Sequence, residues 1–458
     1  MNLNRNISKL ILGLIVSLMM TGLSALAQGE APQSQGAEIV SLTLDNGIPL
    51  FVQPSDTSRV QSVKVFFKGH AQFAEPGQDG LEKLTLKLME RGSENYSWEE
   101  VQAMEREKSA SVGGTTKHFD YSGFYLKTLD KYFDETYPLF VDELLRPSWD
   151  EEEFEKVKNS LLMARTQKEA DPYSLASQIL NDSFFGDHAY QTDIDGNLET
   201  LEGITLDEVK AYYGRILDGN RMFFVAVGDF DPEALRDRLN EDFGSLPINR
   251  KAIIPVGSLG AIEEDVLVEP FADSPGLAYV RGDWVIPEIS PEEKAALQLG
   301  LSLLDDILFQ VVRTENSACY SVWSHLYDFQ AKYASFGIYK TQVPYDVDEL
   351  VLEAVDILAS GRCMSTAAVG DDPYVSIEES LEFYKAQFVT EYYSDQQTNN
   401  VIAEQIGRSW LYEGDPAAYR GQSELWNAVT AEEIVEVIKK YVVGQPIKWI
   451  VLGGEDVI

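Results

Sequence analysis

Two stretches of this chain carry one hydrophobic pattern. Residues 204–229, ITLDEVKAYYGRILDGNRMFFVAVGD, and 429–454, VTAEEIVEVIKKYVVGQPIKWIVLGG, align without a gap. In each, a Thr stands three positions before a Glu (Thr205 with Glu208, Thr430 with Glu433). At that spacing the two side chains satisfy each other's backbone N–H groups and start a helix. Apolar residues then recur along one helical face, a short polar turn follows, and an apolar run ending in glycine, FFVAVG or KWIVLG, predicts a strand. The two halves also begin alike: VKVFFKGH at 63–70 and LAYVRGDW at 277–284 each predict a strand entering a glycine-containing loop ahead of a long helical stretch. The repeat predicts an α+β fold of two similar domains, residues 37–250 and 265–458. Pro and Gly in INRKAIIPVGSLGAIEED place a linker over 251–264.

The first residues follow another pattern. MNLNRNISK and the apolar LILGLIVSLMMTGLSALA form a secretory signal over 1–27, with a flexible segment over 28–36. The reading is an exported, soluble chain, periplasmic or secreted, with a retained membrane anchor as the alternative. What remains is too long for one core, and the full chain's 44% hydrophobic residues are enough to fold despite its formal charge of -38. A surface this acidic repels nucleic acid and anionic lipid and favours basic peptides or cations, although a solubilising role explains it equally simply. Cys319 and Cys363 are too few for a disulfide framework; they read as buried thiols, with a bridge as the alternative.

Catalytic chemistry is sparse. The four histidines, His70, His118, His188 and His325, have no ligand spacing between any two, so they predict no zinc site. Motifs for a serine nucleophile elbow, a phosphate loop or a dinucleotide fold are missing from the sequence. SVGG at 111–114 reads as a glycine-rich turn; the alternative is a strand edge open to an extended peptide.

Five segments, in their order and spacing, carry a resemblance: LTLDNGIPLFVQ, VKVFFKGHAQFAEPGQDGLEKLTLKLMERGS, ASVGGTTKHFDYSGFYL, ADPYSLASQILNDSFFGDHAY and ITLDEVKAYY with FFVAVGDFDPEAL. Together they resemble the insulinase and pitrilysin family of zinc peptidases, the inverzincins, in the short form that assembles from two chains. The resemblance implies domains with antiparallel-rich sheets packed with helices, facing each other as a clamshell. The family's H-x-x-E-H motif places two imidazoles four apart on one helical face to hold zinc, with the Glu polarising water. Here those positions are Lys83, Leu84, Thr85, Leu86 and Lys87, and the third ligand's place falls at Ala164, give or take one residue. The lysine pair reads as a solvated helix face, with a buried lysine base as the alternative.

In the second half, LFQVVRTENSACYSV resembles the segment whose Arg and Tyr reach substrate, here Arg313 and Tyr320. The family's Gly-rich stretch before this Arg is replaced by LGLSLLDDILF. The resemblance thus implies a metal-free, non-catalytic subunit. It would close a chamber with a homologous partner that carries H-x-x-E-H and the zinc, and would lend Arg313 and Tyr320 to bind peptide substrates. The alternatives are a stand-alone peptide-binding or scaffolding protein, and hydrolysis through an unrecognised site.

Overall fold

Thr205 and Thr430 each accept an amide hydrogen bond from the Glu three residues on, and each Glu side chain accepts from the Thr backbone, so the same reciprocal cap starts the helices Leu206–Ile216 and Ala431–Tyr441. The computed structural model describes residues 37–248, 253, 256–367 and 372–458; the signal at 1–27, the segment 28–36 and four positions of the linker lie outside the described residues.

The strands are β1 (Val40–Thr43), β2 (Pro49–Pro54), β3 (Val60–Lys68), β4 (Ser111–Thr115), β5 (Tyr121–Leu129), β6 (Met222–Gly228), β7 (Asp265–Pro270), β8 (Ala278–Val285), β9 (Cys319–Tyr327), β10 (Tyr333–Thr341), β11 (Arg362–Met364), β12 (Tyr374–Ser376) and β13 (Lys448–Gly453). The first half builds a sheet in the order β1-β2-β6-β3-β5-β4, the second in the order β7-β13-β8-β10-β9. Setting β1 aside, the two orders are the same. Each sheet has one parallel pair, β2 with β6 and β7 with β13, among antiparallel neighbours. Register repeats too: Lys64 lies opposite Val225, and Arg281 opposite Ile450. The repeated pattern therefore encodes strand pairing as well as element type, because a slip of one residue would turn each apolar face outward.

One face of each sheet packs on helices of its own half. In the second half that core includes the helix Pro291–Leu308, which with its continuation to Glu315 is long and apolar enough to cross a membrane but is mostly buried, with Ala295, Leu299 and Leu303 in the core. The other faces are covered by exchange. The helix Pro172–Phe185 of the first half lays Ala176 and Leu180 on Ile450 and Leu452 of β13. Its counterpart Asn399–Glu413 lays Ala403 and Ile406 on Phe66, Tyr121, Phe223 and Val225 of the first sheet. The helix backbone must come close: a Cβ on Gly407 would stand 2.2 Å from the Phe66 ring. Polar contacts fix the docking, with Lys64 Nζ 2.7 Å and the Tyr121 hydroxyl 2.5 Å from the Glu404 carboxylate. Exchange of apolar helices is why Ile39–Ile458 forms one compact unit.

Cys319 and Cys363 are free thiols, the latter fully buried.

Candidate functional site

The helix Leu81–Met89 carries Lys83, Leu86 and Lys87, where the resemblance would place the metal motif. It starts at Gly80, whose φ of +77° is left-handed and whose missing Cβ would meet the Gly196 backbone at 2.7 Å. Its first turn is anchored by an ion pair inside the core. Arg221 Nη2 lies 3.1 and 3.0 Å from the two Glu82 carboxylate oxygens. Ser122 and Tyr212 donate hydroxyl bonds to the same carboxylate. Burial pushes the Glu82 carboxyl up, but Arg221 and these donors outweigh it and hold it below its usual range.

Lys83 and Lys87, four apart, point to different partners. Lys83 Nζ lies 2.7 Å from one oxygen of Asp195, and Lys168 Nζ lies 2.9 Å from the other. Burial raises the Asp195 pKa, yet the two ammonium groups drive it down to about 2. Lys87 Nζ donates to Glu90 at 2.6 Å and to the Gly114 carbonyl at 3.1 Å. Leu86, at the place of the motif's Glu, is fully buried, and its Cβ lies where a Cβ on Gly114 would be only 2.8 Å away.

Ala164 is exposed on the long helix Glu151–Ala170, while the next residue, Arg165, turns inward and is buried. Its guanidinium reaches Glu169 at 2.7 Å, Asp193 at 2.5 Å and the Gly196 carbonyl at 3.1 Å. The residue turned inward here is thus the one that follows Ala164.

These residues do not fit zinc. The site offers two ammonium groups where two imidazoles are required, alanine or arginine at the place counted for the third ligand, and a leucine where the water-polarising Glu would stand, while the Asp195 carboxylate beside Lys83 is committed to two lysines. Among the described residues, no group of three or more His, Cys, Asp or Glu could hold a metal ion. A mesh of ion pairs joins the elements where a metal would: Lys83–Asp195–Lys168 and Arg165–Asp193. The composition did not single out Arg165, Lys168, Asp193 or Asp195; the closely spaced acids of TDIDGN were the signal available.

SVGG is a strand and not the turn its glycines suggested: β4 forms the outer edge of the first sheet. Its glycines serve close approach, since a Cβ on Gly113 would meet Glu90 at 3.2 Å and one on Gly114 would meet Leu86.

In the second half the helix ending at Leu308 widens into π-helical turns over Phe309–Glu315, a departure often found at functional sites. This widening carries Arg313 toward the start of β9. The Arg313 guanidinium stacks between Phe309, 4.8 Å from its ring centroid, and Tyr320, at 5.1 Å. Tyr320 is 62% exposed and Phe309 45%, so the stack faces outward. Between them, burial pushes the Cys319 thiol up to about 11, against the pull of Arg313. The structure therefore brings Arg313 and Tyr320 together, and Lys83, Leu86 and Lys87 onto one helix. An aromatic series runs inward from Tyr320 through Tyr339, at 6.3 Å, to Tyr173, at 5.9 Å. Tyr173 lines a cavity of about 340 Å³ between the halves, whose wall also includes Lys168 and Asp195.

Comparison with known proteins agrees with this architecture. The chain is 24% identical over 200 residues to the non-peptidase homolog YmxG of Helicobacter pylori, a match covering 44% of this chain and 46% of that protein. It thus spans about half the length of this and another curated relative that it matches. Its fold is that of a peptidase M16 inactive domain from Pseudomonas fluorescens, with a TM-score of 0.78 at 17% identity over 91% of this chain and 98% of the other. The periplasmic protease PqqL of Escherichia coli is similar too, with a TM-score of 0.74 at 19% identity over 93% of this chain but 47% of that one. Residues 203–360 match the family model described as the peptidase M16 inactive domain. The chain therefore has the fold of the peptidase M16 inactive-domain structures, and its residues 203–360 match the family model of that description.

Proposed function

We propose that this chain is the metal-free subunit of an exported heterodimeric metallopeptidase. It closes a chamber with a homologous chain that carries H-x-x-E-H, and it presents Arg313 and Tyr320 to the peptide held there. The observation that carries this reading is the contrast between the two candidate sites. The metal position is filled by leucine and ion pairs, whereas Arg313 and Tyr320 form an outward-facing pair of donors. A guanidinium and a phenol placed on a scissile carbonyl stabilise charge that develops on its oxygen. In this reading zinc and the general base reside in the partner, and this chain binds and polarises. The similarity to PqqL supports the arrangement, since the present chain has the extent of about half of that periplasmic protease.

The test is reconstitution. The mature chain is purified alone and mixed with an H-x-x-E-H relative from the same genome, and cleavage of a quenched peptide is followed with and without a zinc chelator. Chelator-sensitive cleavage that needs both chains supports the proposal; no gain on mixing contradicts it and favours a stand-alone peptide-binding protein.

A further inference from the structure

An outer strand exposes a row of backbone donors and acceptors, and an extended peptide adds to a sheet by pairing with them. On β4 those groups are occupied by the chain's own side chains. Gly114, opposite Phe124 of β5, gives its N–H to Glu90 Oε1 at 2.6 Å, and its carbonyl accepts from Lys87 Nζ at 3.1 Å. Two residues back along the same edge, the Val112 N–H is held by Glu105 Oε1 at 3.0 Å. Lys87 and Glu90 also bond each other at 2.6 Å. Donor, acceptor and bridge thus form a closed ring on Gly114, a residue whose backbone an incoming strand would meet beside the helix Leu81–Met89.

The repeat has the same device. Strand register makes Ser324 of β9 the counterpart of Gly114: Ser324 lies opposite Phe336, which lies opposite Gly282, as Gly114 lies opposite Phe124, which lies opposite Val65. The Ser324 N–H is held at 2.6 Å by Asp305, from the helix before its strand. A carboxylate at the same register in both halves shows that capping this edge is built into the fold; in the first half Lys87 also completes the cap on the carbonyl side.

We infer that Lys87 and Glu90 form a plug on the β4 edge that keeps the first half of this chain from taking an extended peptide strand, leaving the second half to meet substrate. This rests on the proposed peptide-facing role, but its test uses neither a partner chain nor hydrolysis, so the two can fail separately.

The experiment compares the wild-type mature chain with Lys87→Ala/Glu90→Ala, both checked for native circular dichroism. The probes are a fluorescent eight-residue Val/Thr-rich peptide and the same peptide N-methylated at alternate residues, which cannot pair as a strand. The expected result is at least tenfold tighter anisotropy-measured binding of the unmethylated peptide by the double variant, with the methylated peptide unchanged. Amide hydrogen exchange of the wild type supplies a second reading, with the Gly114 amide protected and at least tenfold slower than in Glu90→Ala. Equal binding by wild type and double variant, gains that survive methylation, self-association of the variant without peptide binding, or a fast-exchanging Gly114 amide in the wild type would each overturn the inference.

Discussion

Replacing Arg221 with Met should expose what holds the helix Leu81–Met89 in place. Arg221 and Glu82 are 1% and 4% exposed, and the guanidinium also donates to the Lys68 carbonyl at 2.9 Å and stacks 4.3 Å from the Phe73 ring centroid. Met keeps much of the apolar volume but leaves the Glu82 carboxylate with only Ser122 and Tyr212 as donors. Orphaning one partner of a buried pair costs about 3–5 kcal/mol. Unfolding entropy of about 2.1 cal/mol/K per residue, over a unit running from Ile39 to Ile458, gives ~0.9 kcal/mol/K, so Tm should fall by about 3–6 °C. The pH dependence follows from the sign of the shift. In the wild type the depressed Glu82 pKa contributes stability above the unfolded glutamate value of about 4.3, and that contribution is lost as pH falls through the folded value. In the variant the buried carboxylate is costly only while ionised. The Tm deficit should therefore be largest near neutral pH and shrink as pH falls toward and then below about 4.3. Thermal melts by circular dichroism between pH 3.5 and 7.5 measure it. The double variant Glu82→Leu/Arg221→Met removes both charges and should recover most of the loss. If single and double variants are equally destabilised at pH 7, the cost does not come from an orphaned charge and the reasoning fails.

Two other substitutions probe the fold. Glu143 is fully buried, neither carboxylate oxygen has a hydrogen-bond partner, and burial followed by repulsion from Glu90, Glu105 and Asp142 raises its pKa well above the usual range. A raised acid pKa destabilises the fold increasingly as pH climbs above about 4.3, so Glu143→Gln should raise Tm at pH 7.5 and leave it unchanged near pH 4; the same gain at both values would contradict the assignment. Gly407→Ala would gain about 1 kcal/mol of helix propensity but drive a Cβ to 2.2 Å from the buried Phe66 ring. Overpacking of about 1–3 kcal/mol should win, lowering Tm, whereas a stabilised variant would show that the exchanged helix has room to move.

How much was legible in the sequence depends on the range of the signal. The repeat was readable because its caps and strand periods are local: Thr205 with Glu208 and Thr430 with Glu433 behave as their spacing requires. Exchange of the helices Pro172–Phe185 and Asn399–Glu413 was not, because Ala176 and Ala403 look alike whichever sheet they cover. The glycines of SVGG suggested a turn, yet they mark a strand under a helix, and only the proximity of Leu86 distinguishes the two. The lysines and leucine at 83, 86 and 87, where the resemblance places the metal motif, were plain in the sequence. Their partners were hidden, since Asp195 joins Lys83 from more than a hundred residues away. Counting along the sequence reaches Ala164, which is exposed, and only burial shows that its neighbour Arg165 is the residue turned inward.

The most direct measurement is kcat/KM for peptide cleavage by the reconstituted pair, with this chain as wild type or as Arg313→Ala/Tyr320→Phe. Both substitutions lie at a surface stack and should leave Tm nearly unchanged. If these side chains stabilise charge on the scissile carbonyl, their removal should lower kcat/KM by about 100-fold or more while the chains still associate. Cleavage that stays as fast with both side chains removed would contradict the central claim.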